Sequence, residues 1–318
     1  MVPSASVIIP ARNAAGTLRE TLDALAAQEL DLSYEVLVVI DDTSEDETAA
    51  IARDHPACSR VLSTRELGAG AMRNLGAEAA GAPVLAFTDA DCAPAADWLR
   101  IGLEAIESRD IVQGAVLPMH GRPLGPFDRT LGVVSEYGLY ETANLFVRAD
   151  VFRRLGGFED LFATNGRPFG EDSWFVWRSR RSGARVGFER SAVVHHAIFP
   201  GTRRGYVLEH ARRRHFPALV RLIPELRGTF LYRRWFLSSR TAAFDAALAA
   251  ALLAVRARSP VPLVASLPYV LAVLKDLRRW SGNEQVSSVE LASALIVADA
   301  VGCGALLIGS VSARAPVL

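Results

Sequence analysis

Val84-Leu-Ala-Phe-Thr-Asp-Ala-Asp-Cys-Ala-Pro94 decides the reading of this chain. Its first five residues, Val84–Thr88, make a short apolar strand. Two carboxylates, Asp89 and Asp91, follow at once, and Pro94 then opens a helix predicted over Ala95–Glu107. A strand that delivers acidic residues into a turn before a helix suits an open α/β sheet, where ligands bind beyond the carboxyl ends of the strands. Carboxylates two residues apart in extended or turn geometry can face one space, where they repel. A divalent cation held through oxygens, Mg2+ or Mn2+, relieves that repulsion and keeps positions open for phosphate oxygens. The same acids also suit a helix cap, so the pair alone is not specific.

The alternation extends in both directions. Upstream, Ser6–Pro10, Glu35–Ile40 and Arg60–Ser63 read as strands. Thr17 with Glu20 forms a capping-box pattern ahead of Leu18, Leu22 and Leu25 on one helical face. Ser44 with Glu47 forms a second, opening a helix to about His55, and Ala69–Ala80 is a helix stopped by Gly81 and Pro83. Downstream, Ile111–Val116 is again a strand. Strands alternating with helices predict a doubly wound, mostly parallel sheet covered on both faces. Pro10, Arg12 and Asn13 follow the first strand, and Asp41 and Asp42 follow the second. With Asp89 and Asp91, these clusters at equivalent strand ends would surround one crevice.

Past Pro118 the rhythm changes. Thr142–Val147 and Arg185–Phe188 read as strands, separated by a glycine-rich stretch from Gly156 to Gly170 and a helix from Glu171 to about Arg181. From Gly201 to Arg240 there are 10 arginines and 2 glutamates. Three apolar blocks follow: Ala242–Val255, Pro260–Leu274 and Leu291–Val311. The expected division is therefore a catalytic α/β domain over residues 1–200 and a basic, then apolar, helical region over 201–318.

Composition sets the outer bounds. The chain has 318 residues, half of them hydrophobic, with mean hydropathy +0.20. That suffices for one large domain or two ordinary ones without disulfides. Its 35 basic and 35 acidic side chains balance, which argues against a nucleic-acid partner. All but one of the basic residues are arginine, the exception being Lys275. Cys58, Cys92 and Cys303 fit neither a disulfide framework nor a zinc pattern, so a reducing compartment is expected. The first residues carry no basic and long apolar run, so a cleaved signal peptide is not expected.

Six pieces in order give the chain a resemblance. They are Ser6-Val-Ile-Ile-Pro-Ala-Arg-Asn13, Glu35-Val-Leu-Val-Val-Ile-Asp-Asp42, Gly68-Ala-Gly-Ala-Met-Arg-Asn74, Thr88-Asp-Ala-Asp91, Asn144-Leu-Phe-Val-Arg148 with Gly156-Gly-Phe158, and Gly170-Glu-Asp172 with Arg178. Over residues 5–200 the chain resembles family 2 glycosyltransferases, which have the GT-A fold and use nucleoside-diphosphate-sugar donors.

The resemblance implies roles. Asp41 would hold the base of the nucleotide-sugar, and Pro10, Arg12 and Asn13 would line the same pocket. Arg73 and Asn74 would lie on a helix near the nucleotide. Asp89 would sit near the ribose and metal, and Asp91 would be the metal ligand facing the diphosphate. His196, or its neighbour His195, would complete the metal site. The Glu171-Asp172 pair matches the base motif, with Asp172 deprotonating the acceptor hydroxyl. Asn144, Gly156 and Gly157 would form an acceptor-side wall. Trp174 departs from the pattern, where a second Asp is common; Trp174 and Trp177 suit an aromatic wall or ordinary core equally.

The expected activity is inverting, metal-dependent transfer of a sugar to a hydroxyl, with a lipid-linked or cell-envelope glycan precursor as acceptor. One base opposite the leaving group gives single displacement. The competing readings are a nucleotidyltransferase, for which a glycine-rich phosphate loop after the first strand is missing, and a catalytically silent glycosyltransferase-like scaffold. For the C-terminal region, arginines interleaved with Tyr232, Trp235 and Phe236 suit an anionic membrane surface. Leu291–Val311 is long enough to span but holds Asp299 near its centre, so helices lying on or dipping into the membrane are expected, with a soluble helical subdomain or dimer interface as the alternative. The expected location is cytoplasmic, peripheral at the inner face of the cell membrane.

Overall fold

The computed structural model describes residues 2–65, 68–121, 123–159, 161, 169–281 and 286–318. Two compact units emerge: Met1–Arg122 with Thr130–Ile198, and Pro123–Arg129 with Phe199–Leu318. The short segment Pro123–Arg129 thus leaves the first unit and belongs to the second.

The first unit is built on an eight-stranded sheet. In chain order it runs β1 (Ala5–Ala11), α1 (Leu18–Ala26), β2 (Tyr34–Asp41), α2 (Thr48–Asp54), β3 (Arg60–Thr64), α3 (Ala69–Ala79), β4 (Val84–Thr88), β5 (Cys92–Pro94), α4 (Trp98–Glu107), β6 (Ile111–Pro118), β7 (Asn144–Arg148), α5 (Ala149–Arg154), α6 (Glu171–Arg181) and β8 (Val186–His196). The strand order is β3-β2-β1-β4-β7-β6-β8-β5. β1, β2, β3 and β4 are joined in parallel, as are β6 and β8, while β7 and β5 join antiparallel. Every residue of β1 is buried, as expected of a parallel strand covered on both faces. After β3 the chain returns to place β4 on the other side of β1. That reversal leaves a crevice beyond the carboxyl ends of β1 and β4.

Packing fixes the helices around this crevice. Leu18, Leu22 and Leu25 bury the inner face of α1 against Val7, Ile9, Val36 and Val38. α3 crosses β1 so closely that a Cβ on Gly76 would stand 2.5 Å from Ile8 Cγ2. This close approach sets the height of Arg73, one turn earlier on α3. Asn144 is wholly buried: its Oδ1 accepts from Trp98 Nε1 at 2.8 Å, and its Nδ2 donates to the carbonyls of Ala115 and Ala192 at 2.8 Å each. It therefore ties α4, β6, β7 and β8 together instead of walling an acceptor.

Local details differ from expectation. Neither predicted capping box forms. Thr17 precedes α1 without a side-chain cap bond, and α2 starts at Thr48 after Glu47. Ser44 Oγ instead accepts from the Asn13 amide at 3.3 Å, and Asp46 takes the Thr48 amide at 3.1 Å. Pro94 ends β5, and α4 begins at Trp98. β8 runs on through polar Glu189–Ser191 to His196, because a register irregularity between Gly114 and Ala115 of β6 absorbs that stretch.

The second unit is helical: α7 (Arg203–His210), α8 (Phe216–Leu222), α9 (Leu226–Thr229), α10 (Ser239–Ala257), α11 (Leu267–Arg279) and α12 (Ser288–Ala313). Asp299 of α12 is buried, and its carboxylate accepts from Arg240 Nε at 2.8 and 3.0 Å and from Tyr269 Oη at 2.9 Å. Arg240 Nη1 reaches Asp276 at 2.5 Å. The charge at the centre of the apolar C-terminal block is thus neutralised within the unit. α12 is long and apolar enough to cross a membrane by length and composition. α10 and α11 leave Leu252, Leu253, Val255, Leu267 and Leu271 more than half exposed.

Candidate active site

The loops beyond β1 and β2 are stitched to one another. Asn13 adopts φ 49°, and its Oδ1 accepts from the Glu45 amide at 2.9 Å. The Ala14 amide donates to Thr48 Oγ1 at 2.7 Å and the Ala15 amide to Asp46 Oδ2 at 2.9 Å. Asp41, at the end of β2, is wholly buried. Its Oδ1 accepts from Thr43 N at 2.9 Å and Thr43 Oγ1 at 2.7 Å. Its Oδ2 has no hydrogen-bond partner among the described residues and lies 3.6 Å from Arg12 Nε. A buried carboxylate oxygen left unpaired is costly, and a donor from a ligand would satisfy it. Pro10 lies in β1 just before this loop.

Arg73 links the acids after β4 to those opening α6. It is buried, its Nη2 donates to Asp89 Oδ1 at 2.6 Å, and its Nη1 lies 3.7 Å from Glu171 Oε1. Burial works against its charge, but Asp89, Glu171 and Asp172 outweigh it and raise its pKa. One guanidinium therefore serves the acids after β4 and those opening α6. Asn74, its neighbour, is used differently: its Nδ2 donates to Phe158 O at 2.8 Å and its Oδ1 accepts from Phe158 N at 2.9 Å. Both ends of that amide hold the loop after α5. Gly157 sits there at φ 71°, where a Cβ would meet Asn74 Oδ1 at 2.5 Å.

The short strand β5 decides which histidine joins the acids. Cys92 pairs with His196 and Ala93 with His195, and the Ala197 amide donates to Asp91 O at 2.8 Å. His196 Nε2 consequently lies 3.6 Å from Asp91 Oδ1. His195 points to the other face, its ring 4.8 Å from that of His120. His196 Nδ1 lies 2.8 Å from Ala197 O. A carbonyl only accepts, so Nδ1 carries a hydrogen and Nε2 is the ring atom turned toward Asp91.

Asp91, Cys92 and His196 each offer one ligand atom, all within 4.8 Å of one another. Burial, then the charge of Asp89, raises the Asp91 pKa, while His196 lowers it. Two carboxylates crowded in this way, with an imidazole nitrogen turned toward them, fit a hard divalent cation. Cys92 fits less well, since burial, then Asp89 and Asp91, push its thiol well up and keep it protonated.

Glu171 and Asp172 open α6, whose N-terminus follows Gly170 at φ 80°. Burial, then the charges of Glu171 and Glu141, hold Asp172 well above the usual carboxylate range, opposed by the Ser173 amide and Arg73. Arg178 donates to Leu155 O at 3.1 Å, Gly157 O at 2.6 Å and Glu159 Oε1 at 2.5 Å, so it braces the same glycine loop as Asn74. Trp177 is buried with its indole on Gly138 O at 2.9 Å. Trp174 is held by Glu159 at 2.9 Å and stacks against Arg178 and Arg181. Glu141 was not foreseen in the sequence, since its segment carries no motif.

Comparison with known proteins completes the picture. The family model for glycosyl transferase family 2 matches residues 6–149. The chain is 31% identical over 214 residues to glycosyltransferase AglE of Haloferax volcanii, covering 63% of this chain and 68% of that one. Its fold is similar to mannosyltransferase PcManGT from Pyrobaculum calidifontis, solved with GDP-Man and Mn2+, with TM-score 0.62 and 20% identity over 95% of this chain and 87% of that one. It is also similar to residues 1–349 of S. aureus TarS in complex with UDP-GlcNAc, with TM-score 0.52 and 18% identity over 98% and 92% of the two chains.

Proposed function

The chain belongs to glycosyl transferase family 2 and is a glycosyltransferase with the GT-A fold; from that premise we propose that it is an inverting, cation-dependent enzyme that transfers a sugar from a nucleoside-diphosphate-sugar to a hydroxyl acceptor. The observation that carries the reading is the Arg73 bridge, which puts the Asp89–Asp91–His196 group and the Glu171–Asp172 pair on one floor.

Asp41 receives the nucleotide base through its unpaired buried oxygen, with Pro10, Arg12 and Asn13 around it. Asp91 and His196 hold a divalent cation, Mn2+ or Mg2+, with Asp89 adding charge nearby. When bound, the cation supplies Lewis-acid neutralisation of the leaving diphosphate. Asp172 accepts the acceptor hydroxyl's proton. Its raised pKa suits that task, because a base works best when its pKa lies near the working pH. Arg73 keeps Glu171 and Asp89 paired while the reaction proceeds. Asn74 and Arg178 fix the loop beside them.

The acceptor we favour is a lipid-linked or cell-envelope glycan precursor, delivered at the cytoplasmic face of a membrane. The apolar exposure of α10 and α11 and the arginines of the second unit support that location. The reaction is tested by incubating the full chain with UDP-glucose, UDP-N-acetylglucosamine and GDP-mannose, with and without Mn2+, and following nucleoside-diphosphate release. Release from one donor, dependent on the cation and lost in Asp172→Asn, is expected. Equal release without cation, or with Asp172→Asn, contradicts the proposal.

A further inference from the structure

Residues 136–141, ahead of β7, carry no recognisable motif, yet they are fastened to α6 at several points. Trp177 Nε1 donates to Gly138 O at 2.9 Å, and Ser173 Oγ donates to Leu139 O at 2.5 Å. Tyr140 Oη donates to Glu136 Oε1 at 2.6 Å, and Arg180 pairs with the same carboxylate. The Arg180 guanidinium also lies 5.4 and 5.3 Å from the rings of Tyr140 and Trp177. Within this frame Tyr140 is wholly buried at φ 59°. A bulky residue in the left-handed region is strained and persists only when its surroundings fix it. The loop is therefore held against the start of α6 at the expense of local strain.

What the strained turn delivers is the next residue, Glu141. Its Oε1 accepts from Tyr137 Oη, and its Oε2 accepts from Gln113 Nε2 at 2.9 Å. Gln113 is wholly buried in β6, which makes it a rigid donor. Two fixed donors hold this carboxylate in one place. The loop is bonded at Leu139 to Ser173, the residue after Asp172. The groups facing Asp172 are Glu171 of its own helix, Arg73 of α3, Glu141 and Tyr137 of this loop, and the Ser173 amide.

We propose that Glu141, clamped by Tyr137 and Gln113, is a positioning residue that sets the electrostatic environment of the base at Asp172. This rests on Asp172 being that base. Glu141 does not take the acceptor's proton. Its fixed negative charge makes the neighbouring carboxylate a stronger proton acceptor, and the bonds that fasten the turn at Tyr140 hold it there. Burial and the two neighbouring glutamates together raise the pKa of Asp172, with Arg73 opposing.

The test uses the full chain with 13C-labelled aspartate. The side-chain resonance that disappears in Asp172→Asn identifies that carboxyl, and its titration is followed in the parent, Glu141→Gln and Glu141→Asp. The acid limb of cation-dependent nucleoside-diphosphate release is followed in parallel, with water as acceptor. Removing the Glu141 charge is expected to lower both midpoints by on the order of one pH unit, with Glu141→Asp restoring most of the shift. Glu141→Ser carries the same test if Glu141→Gln does not fold. An unmoved midpoint in folded Glu141→Gln or Glu141→Ser overturns the inference and leaves Glu141 a structural residue. Turnover that survives in Asp172→Asn overturns the base assignment instead, whatever Glu141 does.

Discussion

Arg73 is shared by two acidic groups far apart in sequence: its Nη2 lies 2.6 Å from Asp89 Oδ1 and its Nη1 3.7 Å from Glu171 Oε1. A buried cation among acids is held by them, and they by it. Removing one member of such a group leaves uncompensated buried charge, at a cost of about 3–5 kcal/mol. Arg73→Leu is expected to lose stability of that order in urea unfolding, with Arg73→Lys intermediate. A loss below about 1 kcal/mol, the range of a surface ion pair, would show that the bridge is not structural.

Asp172 gives a pH dependence of unusual sign. Its folded pKa lies above the unfolded value, so between the two the unfolded chain binds fewer protons than the folded one. Stability from this group therefore falls as pH rises from the ordinary aspartate range through the folded pKa. Asp172→Asn is expected to be inactive yet more stable than the parent at neutral pH, with the difference vanishing in acid. Thermal unfolding of both proteins across pH 4–8 (the range spanned by ordinary and strongly raised carboxyl pKa values) checks it, and a parent more stable than the variant at neutral pH would refute it.

The two adjacent histidines should separate cleanly. His196 presents Nε2 to Asp91, and His195 packs on His120. His196→Ala is expected to weaken Mn2+-dependent nucleotide binding by at least the ~10-fold that loss of an outer partner causes. His195→Ala should change it little. Calorimetry on both variants decides, and the reverse order of effects would mean that the β5–β8 register does not select the ligand.

Gly157→Ala tests the loop latch. Its φ of 71° and the 2.5 Å approach to Asn74 Oδ1 leave no room for a methyl group. A loss of at least about 1 kcal/mol is expected from the backbone conformation alone. Adding Asn74→Ala should recover part of the steric share, and no recovery in the double variant would argue against the clash.

Membrane association predicts a lipid and salt dependence. The full chain should sediment with vesicles containing phosphatidylglycerol more than with neutral ones, and the excess should shrink at high salt as screening grows. Binding equal on both vesicle types would leave the arginines without a role in docking. Absence of binding to either would remove the membrane from the account.

Much of the crevice was legible because strand ends are easy to find. The apolar runs at Val84–Thr88 and Glu35–Ile40 are followed directly by acids, and the fold converts that local order into one crevice. What sequence could not supply was anything set by pairing. The choice of His196 over His195 follows from the register of a three-residue strand, and two adjacent identical residues carry no mark of which face each takes. The Arg73 bridge joins positions 98 residues apart (Arg73 to Glu171). Asn144 read as an acceptor wall, but its amide is consumed by Trp98, Ala115 and Ala192. The Ser44–Glu47 capping box failed because Ser44 is drawn to the loop after β1. Glu141 was hidden because neither the strain at Tyr140 nor the bolts to α6 leave a local pattern.

The most direct measurement is calorimetric titration of the full chain with UDP, GDP and their sugar conjugates, with and without Mn2+, beside Asp91→Asn. The expected result is binding of one nucleotide family that requires the cation and is lost in the variant. Cation-independent binding, or binding unchanged by Asp91→Asn, would contradict a metal held by Asp91 and His196. No binding of any nucleotide would contradict the donor site itself.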